Sequence, residues 1–193
     1  MSLAVLKSRA LAGMAAPEVT VEVHLGRGLP SFTIVGLADT EVKEARERVR
    51  AAIQNARFEF PASRITVNLA PADLPKESGR FDLPIALGIR AASGQVGGKH
   101  LAEHEFAGEL SLTGELRPIR GALAMCLAAR GEARSFVLPA ESAAEAALVG
   151  AATILPAKSL LEVCAHLNGQ QPLAAYAEQP ATATPDYPDL SDV

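Results

Sequence analysis

Lys76, Ser78 and Arg80 alternate along the loop PADLPKESGR, and each could do chemistry. A serine hydroxyl is a poor nucleophile until a neighbouring amine, desolvated enough to be partly neutral, removes its proton. Ser78 with Lys76 as base is therefore one hydrolytic arrangement to weigh. Two residues apart on a loop, they have no evident means of facing each other. Arg80 stays protonated at any physiological pH and can act only as a cation. It stands just before an apolar run, where the dipole and free N–H groups of a helix start repel a cation by a few tenths to about 1 kcal/mol. Something negative belongs beside it. The choices are a carboxylate of Asp82, Glu77 or Glu109 in a structural ion pair, or a phosphate held together with backbone donors and Lys76.

The elements that must position this loop are legible in part. Val19 to Leu25 alternates apolar and polar residues with the period of a strand, and Gly26 to Pro30 is turn chemistry before a second strand, Ser31 to Val35, which predicts a hairpin. Asp39 or Thr40 can cap a helix carrying Val42, Ala45, Val49, Ala52 or Ile53, and Ala56 on one face. Its other face pairs Glu44 with Arg48 and Lys43 with Glu47. Arg64 to Leu69 is β-branched and reads as a central strand. Phe81 to Ala92 is apolar nearly all round, which predicts a helix buried on more than one side. Pro84 is tolerated only in a first turn, so that helix begins close to Asp82 or Leu83.

Further along, Phe106 to Leu110 and Leu112 to Leu116 read as strands joined near Thr113 and Gly114. Ile119, Ala122, Leu123, Cys126 and Leu127 form a helical stripe that Gly131 is placed to end. A short strand (Ser135 to Leu138), a helix (Glu141 to Leu148), a strand (Ala152 to Leu155) and a helix (Leu160 to Leu167) complete a mixed α and β pattern. From Asn168 the composition turns to Gln, Pro, Ala, Thr and Asp without apolar period. That divides the chain into a domain over 1–167 and a flexible linker over 168–193.

Composition narrows the function classes. The 193 residues carry a net charge of −4, unevenly placed: residues 1–100 hold 13 Lys and Arg against 10 Asp and Glu, and the remainder 5 against 12. A polyanion should meet the N-terminal half. No stretch approaches the roughly 20 apolar residues of a membrane span, and the N-terminus lacks the order of a secretory signal, so a cytoplasmic protein is expected. Cys126 and Cys164 fall in apolar helical patterns and read as unpaired core residues. SGQVGGKH approaches a nucleotide-binding loop but has Ser93 for the first Gly and His100 in place of Ser or Thr. His100 and His104 lack a third ligand at metal spacing. Aromatic residues are too dispersed for a single-strand stacking platform. No cofactor and no metal are expected for this chain.

Three long stretches carry a resemblance: GLPSFTIVGLADTEVKEARERVRAAI, VNLAPADLPKESGRFDLPIALGI and GELSLTGELRPIRGAL. In this order they resemble the N-terminal domain of the ComM/YifB family of Mg-chelatase-related AAA+ proteins, and the last two also resemble the catalytic half of Lon-type Ser/Lys protease domains. The resemblance implies an α+β fold, ribosomal protein S5 domain 2-like, with a Lon protease-domain-like mixed sheet packed with helices. It implies that Arg80 stands at the nucleophile position and Leu123 at the lysine position, neither of which can do that chemistry. The function implied is a non-catalytic accessory domain of an AAA+ ATPase associated with DNA uptake, branch migration and recombination. The attached AAA+ module would bring ATP and Mg and assemble as a hexamer in the full-length protein. Lys76 and Arg80 are the candidate anion or DNA contacts. The alternatives are a hydrolase with an unrecognised nucleophile in the same groove, and an accessory module for metal insertion.

Overall fold

Alternating burial fixes which strands keep one wet face. β1 (Leu3–Arg9), β2 (Glu18–Gly26) and β3 (Ser31–Val35) precede α1 (Thr40–Asn55), and β4 (Arg64–Ala70) follows it. In β2, Val19, Val21 and Val23 are buried while Glu18, Thr20 and Glu22 are not; β4 repeats the pattern with Ile65, Val67 and Leu69. Period 2 places each set on one face, against the helices. The structure, a computed structural model, describes residues 2–13, 15–36, 38–150 and 152–177, the side chains of 41 and 43 excepted.

The remaining elements are α2 (Asp82–Ala92), β5 (His104–Phe106), β6 (Glu109–Leu110), β7 (Leu116–Arg117), α3 (Ala122–Ala129), β8 (Ser135–Pro139), α4 (Ala143–Ala147), β9 (Ile154–Ala157) and α5 (Leu160–Leu167). A mixed, mostly parallel sheet runs β3-β4-β2-β1-β5-β8-β9. β1–β2 and β2–β4 are antiparallel, whereas β3–β4, β1–β5, β5–β8 and β8–β9 are parallel. β6 and β7 form a small separate ladder. β8 is buried on both faces: Val137 joins the main core, and Phe136 and Leu138 pack with α3 and α4 in a second cluster. α2 is buried along its whole length, as its all-round apolarity predicts, and begins at Asp82 with Pro84 in its first turn. Gly88 lets it close on the sheet, since a Cβ there would meet Val23 Cγ2 at 2.4 Å.

Several expectations are corrected. The hairpin between residues 19–25 and 31–35 does not form: β4 lies between β2 and β3, and β3 pairs with β4 in parallel. α1 is the crossover that a parallel pair needs. The true hairpin joins β1 to β2, and β1 escaped separate notice because LAVLKSR shows little alternation in sequence. The strand expected over 106–110 is split at Gly108, whose N–H donates to the Arg80 carbonyl (2.8 Å) and whose carbonyl accepts from the Leu83 N–H (3.0 Å). α3 starts at Ala122 rather than Ile119, and Leu127 is exposed. Arg48, expected against Glu44, makes a two-point contact with Asp82, and Glu44 acts on it through the field.

Asp39 caps α1, its Oδ1 accepting the Val42 N–H at 2.8 Å. Both cysteines are free and buried. No helix among the described residues is long and apolar enough to cross a membrane. The linker expected from Asn168 begins as a segment laid on the domain: Leu173 packs against the main core and the Tyr176 N–H donates to the Ile154 carbonyl (2.9 Å). Its remainder, 178–193, lies outside the described residues.

Candidate functional site

The loop between β4 and α2 is pinned at both ends. The Asp39 N–H donates to the Lys76 carbonyl (3.1 Å), tying the loop to the start of α1, and Gly108 holds its other end through Arg80. Between these anchors Ser78 adopts φ 67° and ψ 169°, a backbone region that side chains other than glycine rarely occupy and that costs of order 1–3 kcal/mol. Gly79 follows, where a Cβ would meet the Glu109 side chain (Cγ at 2.6 Å) and oblige it to shift.

This geometry buries the Arg80 side chain, leaving the residue 5% exposed. Its Nε donates to Ser78 Oγ at 2.9 Å, and Nη1 lies 3.9 Å from Met125 Sδ on α3. Among the described residues no carboxylate forms an ion pair with it. Burial pushes its pKa down, with Glu77 opposing, but guanidinium remains the charged form. None of the three carboxylates offered by the sequence pairs with Arg80, although Glu77 and Glu109 line its cavities. Asp82 binds Arg48, Glu109 stands 3.7 Å from Arg117, and Glu77 is exposed and acts only through the field.

Arg80, Ser78 and Arg120 line two cavities. One, of about 290 Å³, is lined by Ser78, Gly79, Arg80, Glu109, Pro118, Ile119 and Arg120. The other, of about 370 Å³, is lined by Leu11, Asp39, Glu77, Ser78, Arg80 and Arg120. Arg120 is the second cation of the groove. Sequence reasoning passed over it because nothing in PIRG marks a side chain for a site 40 residues away.

Lys76 is not brought to Arg80's cavities. It is fully buried and its ammonium donates to the Pro71 carbonyl; burial pushes its pKa down, with Asp73 opposing. Ser78 Oγ takes its hydrogen bond from a guanidinium, which cannot accept a proton, so Lys76 and Ser78 are not joined as base and nucleophile. Leu123 lies on α3, partly exposed, with its backbone N–H donating to Glu145 Oε1 at 3.1 Å. His100 pairs with Glu103, and His104 turns one ring nitrogen to the His100 carbonyl. Among the described residues no group of three His, Cys, Asp or Glu is arranged to hold a metal ion. The groove is thus lined by two arginines and the Ser78 hydroxyl, with Glu109, Glu77 and Asp39 on its walls.

The chain matches the family model described as subunit ChlI of Mg-chelatase over residues 21–142. It is 53% identical over 178 residues to competence protein ComM of Haemophilus influenzae, a match that covers 92% of this chain and 35% of that protein. It is 47% identical to YifB of Escherichia coli K12, itself described as uncharacterized, over 100% of this chain and 38% of that protein. A mycobacterial relative from Mycobacterium tuberculosis H37Rv, also uncharacterized, is 34% identical and is covered over 39% of its length. The chain thus spans between a third and two fifths of the length of these relatives.

Proposed function

Because the chain belongs to the family of subunit ChlI of Mg-chelatase, and its relatives are two to three times as long, we propose that it is a non-catalytic accessory domain of a larger ComM-like ATPase. In this reading residues 1–167 form the domain, of the S5 domain 2 and Lon-like type, and 168–193 lead towards an AAA+ module. That module would carry ATP and Mg²⁺, assemble as a hexamer and act in the cytoplasm on DNA during uptake, branch migration and recombination. The domain's contribution is positioning, through contacts with the module and with the DNA backbone.

One observation carries the reading: buried Arg80 shares a groove with Arg120 and forms no ion pair with any described carboxylate, although Glu109, Glu77 and Asp39 also line that groove. A buried cation is costly without a counter-charge, and a phosphate oxygen supplies one. The residues that would bear charge on the DNA are Arg80 and Arg120, with Lys76 reaching it only if its ammonium leaves the Pro71 carbonyl. The Lon-like resemblance puts Arg80 and Leu123 at the nucleophile and base positions, which speaks against proteolysis in this reading.

The test is binding of the chain to forked and single-stranded DNA across a salt series. Phosphate contacts require affinity to fall as salt rises, with a log–log slope of about 0.9 per phosphate neutralised on duplex. Absence of binding at low salt would remove the DNA part of the reading and leave protein contacts.

A further inference from the structure

Two histidines outside the groove meet head to head. His166 on α5 and His104 on β5 place their Nε2 atoms 3.1 Å apart, with ring planes at 90°. His104 Nδ1 lies 2.7 Å from the His100 carbonyl, and the Leu173 N–H donates to His166 Nδ1 at 3.1 Å. These contacts allow one proton arrangement. A carbonyl only accepts, so His104 carries its proton on Nδ1. A backbone N–H only donates, so His166 Nδ1 is bare and its proton is on Nε2. That proton then points at the bare Nε2 of His104, and every contact is satisfied with both rings neutral.

A single added proton breaks the arrangement whichever ring receives it. His166 can take it only on Nδ1, which ejects the Leu173 N–H. His104 can take it only on Nε2, which sets two N–H groups against each other until His166 moves its own proton to Nδ1, with the same loss. Leu173 belongs to the segment that leaves α5. That segment is held by the Gly97 N–H on Asn168 Oδ1 (3.0 Å), by Leu173 on His166, and by Tyr176 on the edge strand β9.

We propose that the His104–His166 pair is a proton-operated latch that holds residues 169–177 on the domain at neutral pH and releases them on acidification. The surroundings oppose a charge on His166. His104 is 7% exposed, and His166 titrates below the ordinary imidazole range because of burial first, then His104 and His100. The carboxylates of the packed elements are engaged elsewhere: Glu103 with His100, Glu105 with Arg9 and Arg134, and Glu162 with the Lys158 N–H. Arg90 of α2 lies against the Phe58 ring. The latched state binds fewer protons than the released one, so falling pH favours release.

The latch is tested by amide exchange of the whole chain, corrected for intrinsic rates, at about pH 7.5 and about pH 5.5. Protection of Leu173 should fall by up to roughly tenfold at the lower pH, the limit for one proton on an imidazole of ordinary pKa, while amides of α2 keep theirs. His166→Asn offers an acceptor near the position of Nδ1 that does not titrate, so it should hold Leu173 equally at both pH values. Equal protection in the unaltered protein, or a pH step that survives in His166→Asn, would overturn the proposal. Independently of any variant, imidazole nitrogen spectra at neutral pH must place the His166 proton on Nε2. A proton found on Nδ1 contradicts the latch.

Discussion

Asp82 and Arg48 form a two-point contact, Nε to Oδ2 at 2.8 Å and Nη2 to Oδ1 at 3.1 Å, that ties the first residue of α2 to α1. Oδ2 also accepts the Leu110 N–H at 3.1 Å. The carboxylate nearest in sequence to Arg80 on the helix side is thereby turned away from it, which gives the groove its character. The cation left over lines a cavity together with a second arginine.

The same carboxylate should be visible in the pH dependence of folding. Burial pushes Asp82 up to about 6, against the pull of Arg48 and Leu110. An acid whose folded pKa is raised contributes stability that is present below its ordinary range and is lost as pH rises through the folded value. Stability should decline between about pH 4 and pH 6, and Asp82→Asn should flatten that decline. Denaturant unfolding across this window measures it, and a variant as steep as the parent would refute the assignment.

Arg80→Ala should weaken DNA binding about tenfold, as expected for one charge-assisted contact, and lower the salt slope by about one. Arg80→Lys should recover the charge but not the fork, and so only part of the affinity. Filter binding or anisotropy at several salt concentrations reads both numbers. A substitution that leaves affinity and slope unchanged shows that DNA does not use this groove.

Glu105 is 1% exposed at its side chain and binds Arg9 (2.6 Å) and Arg134 (3.0 Å), joining β5 to β1. Glu105→Gln leaves Arg9 charged and buried, a loss of roughly 3–5 kcal/mol in urea unfolding. Replacing Arg9 by Met and Glu105 by Leu together should restore most of it. If the double variant is as unstable as the single one, the cost is not electrostatic.

Gly88→Ala should destabilise although alanine favours helix by about 1 kcal/mol. Its methyl would overlap Val23 on β2 and force α2 off the sheet, an overpacking penalty of roughly 1–3 kcal/mol or more. Thermal unfolding decides the sign.

Burial pushes the Cys126 thiol up to about 12, with Glu105 adding to the shift and Arg9 opposing it, and it raises Cys164 as well. Neither should react with a thiol reagent at neutral pH until the chain is unfolded. Rapid labelling of the folded protein would place a cysteine at the surface.

Local physics was legible in the chain. The Asp39 cap, the buried stripe of α1, the start of α2 at Asp82 and the alternation of β2 and β4 depend on neighbours within a turn or two, so residue type and period suffice to read them. Strand partners do not depend on such neighbours. Turn chemistry at Gly26 to Pro30 suggested a hairpin, yet insertion of β4 buries Ile65, Val67 and Leu69 among strands on both sides. The sequence by itself determined that Arg80 is a cation at a helix start and that Leu123 brings no proton-transferring group. Only the tertiary structure decided that Asp82 answers Arg48, that Lys76 turns to Pro71, and that Arg120 shares the cavity. The reason is that counter-charges are chosen by distance in space, and long-range packing sets those distances.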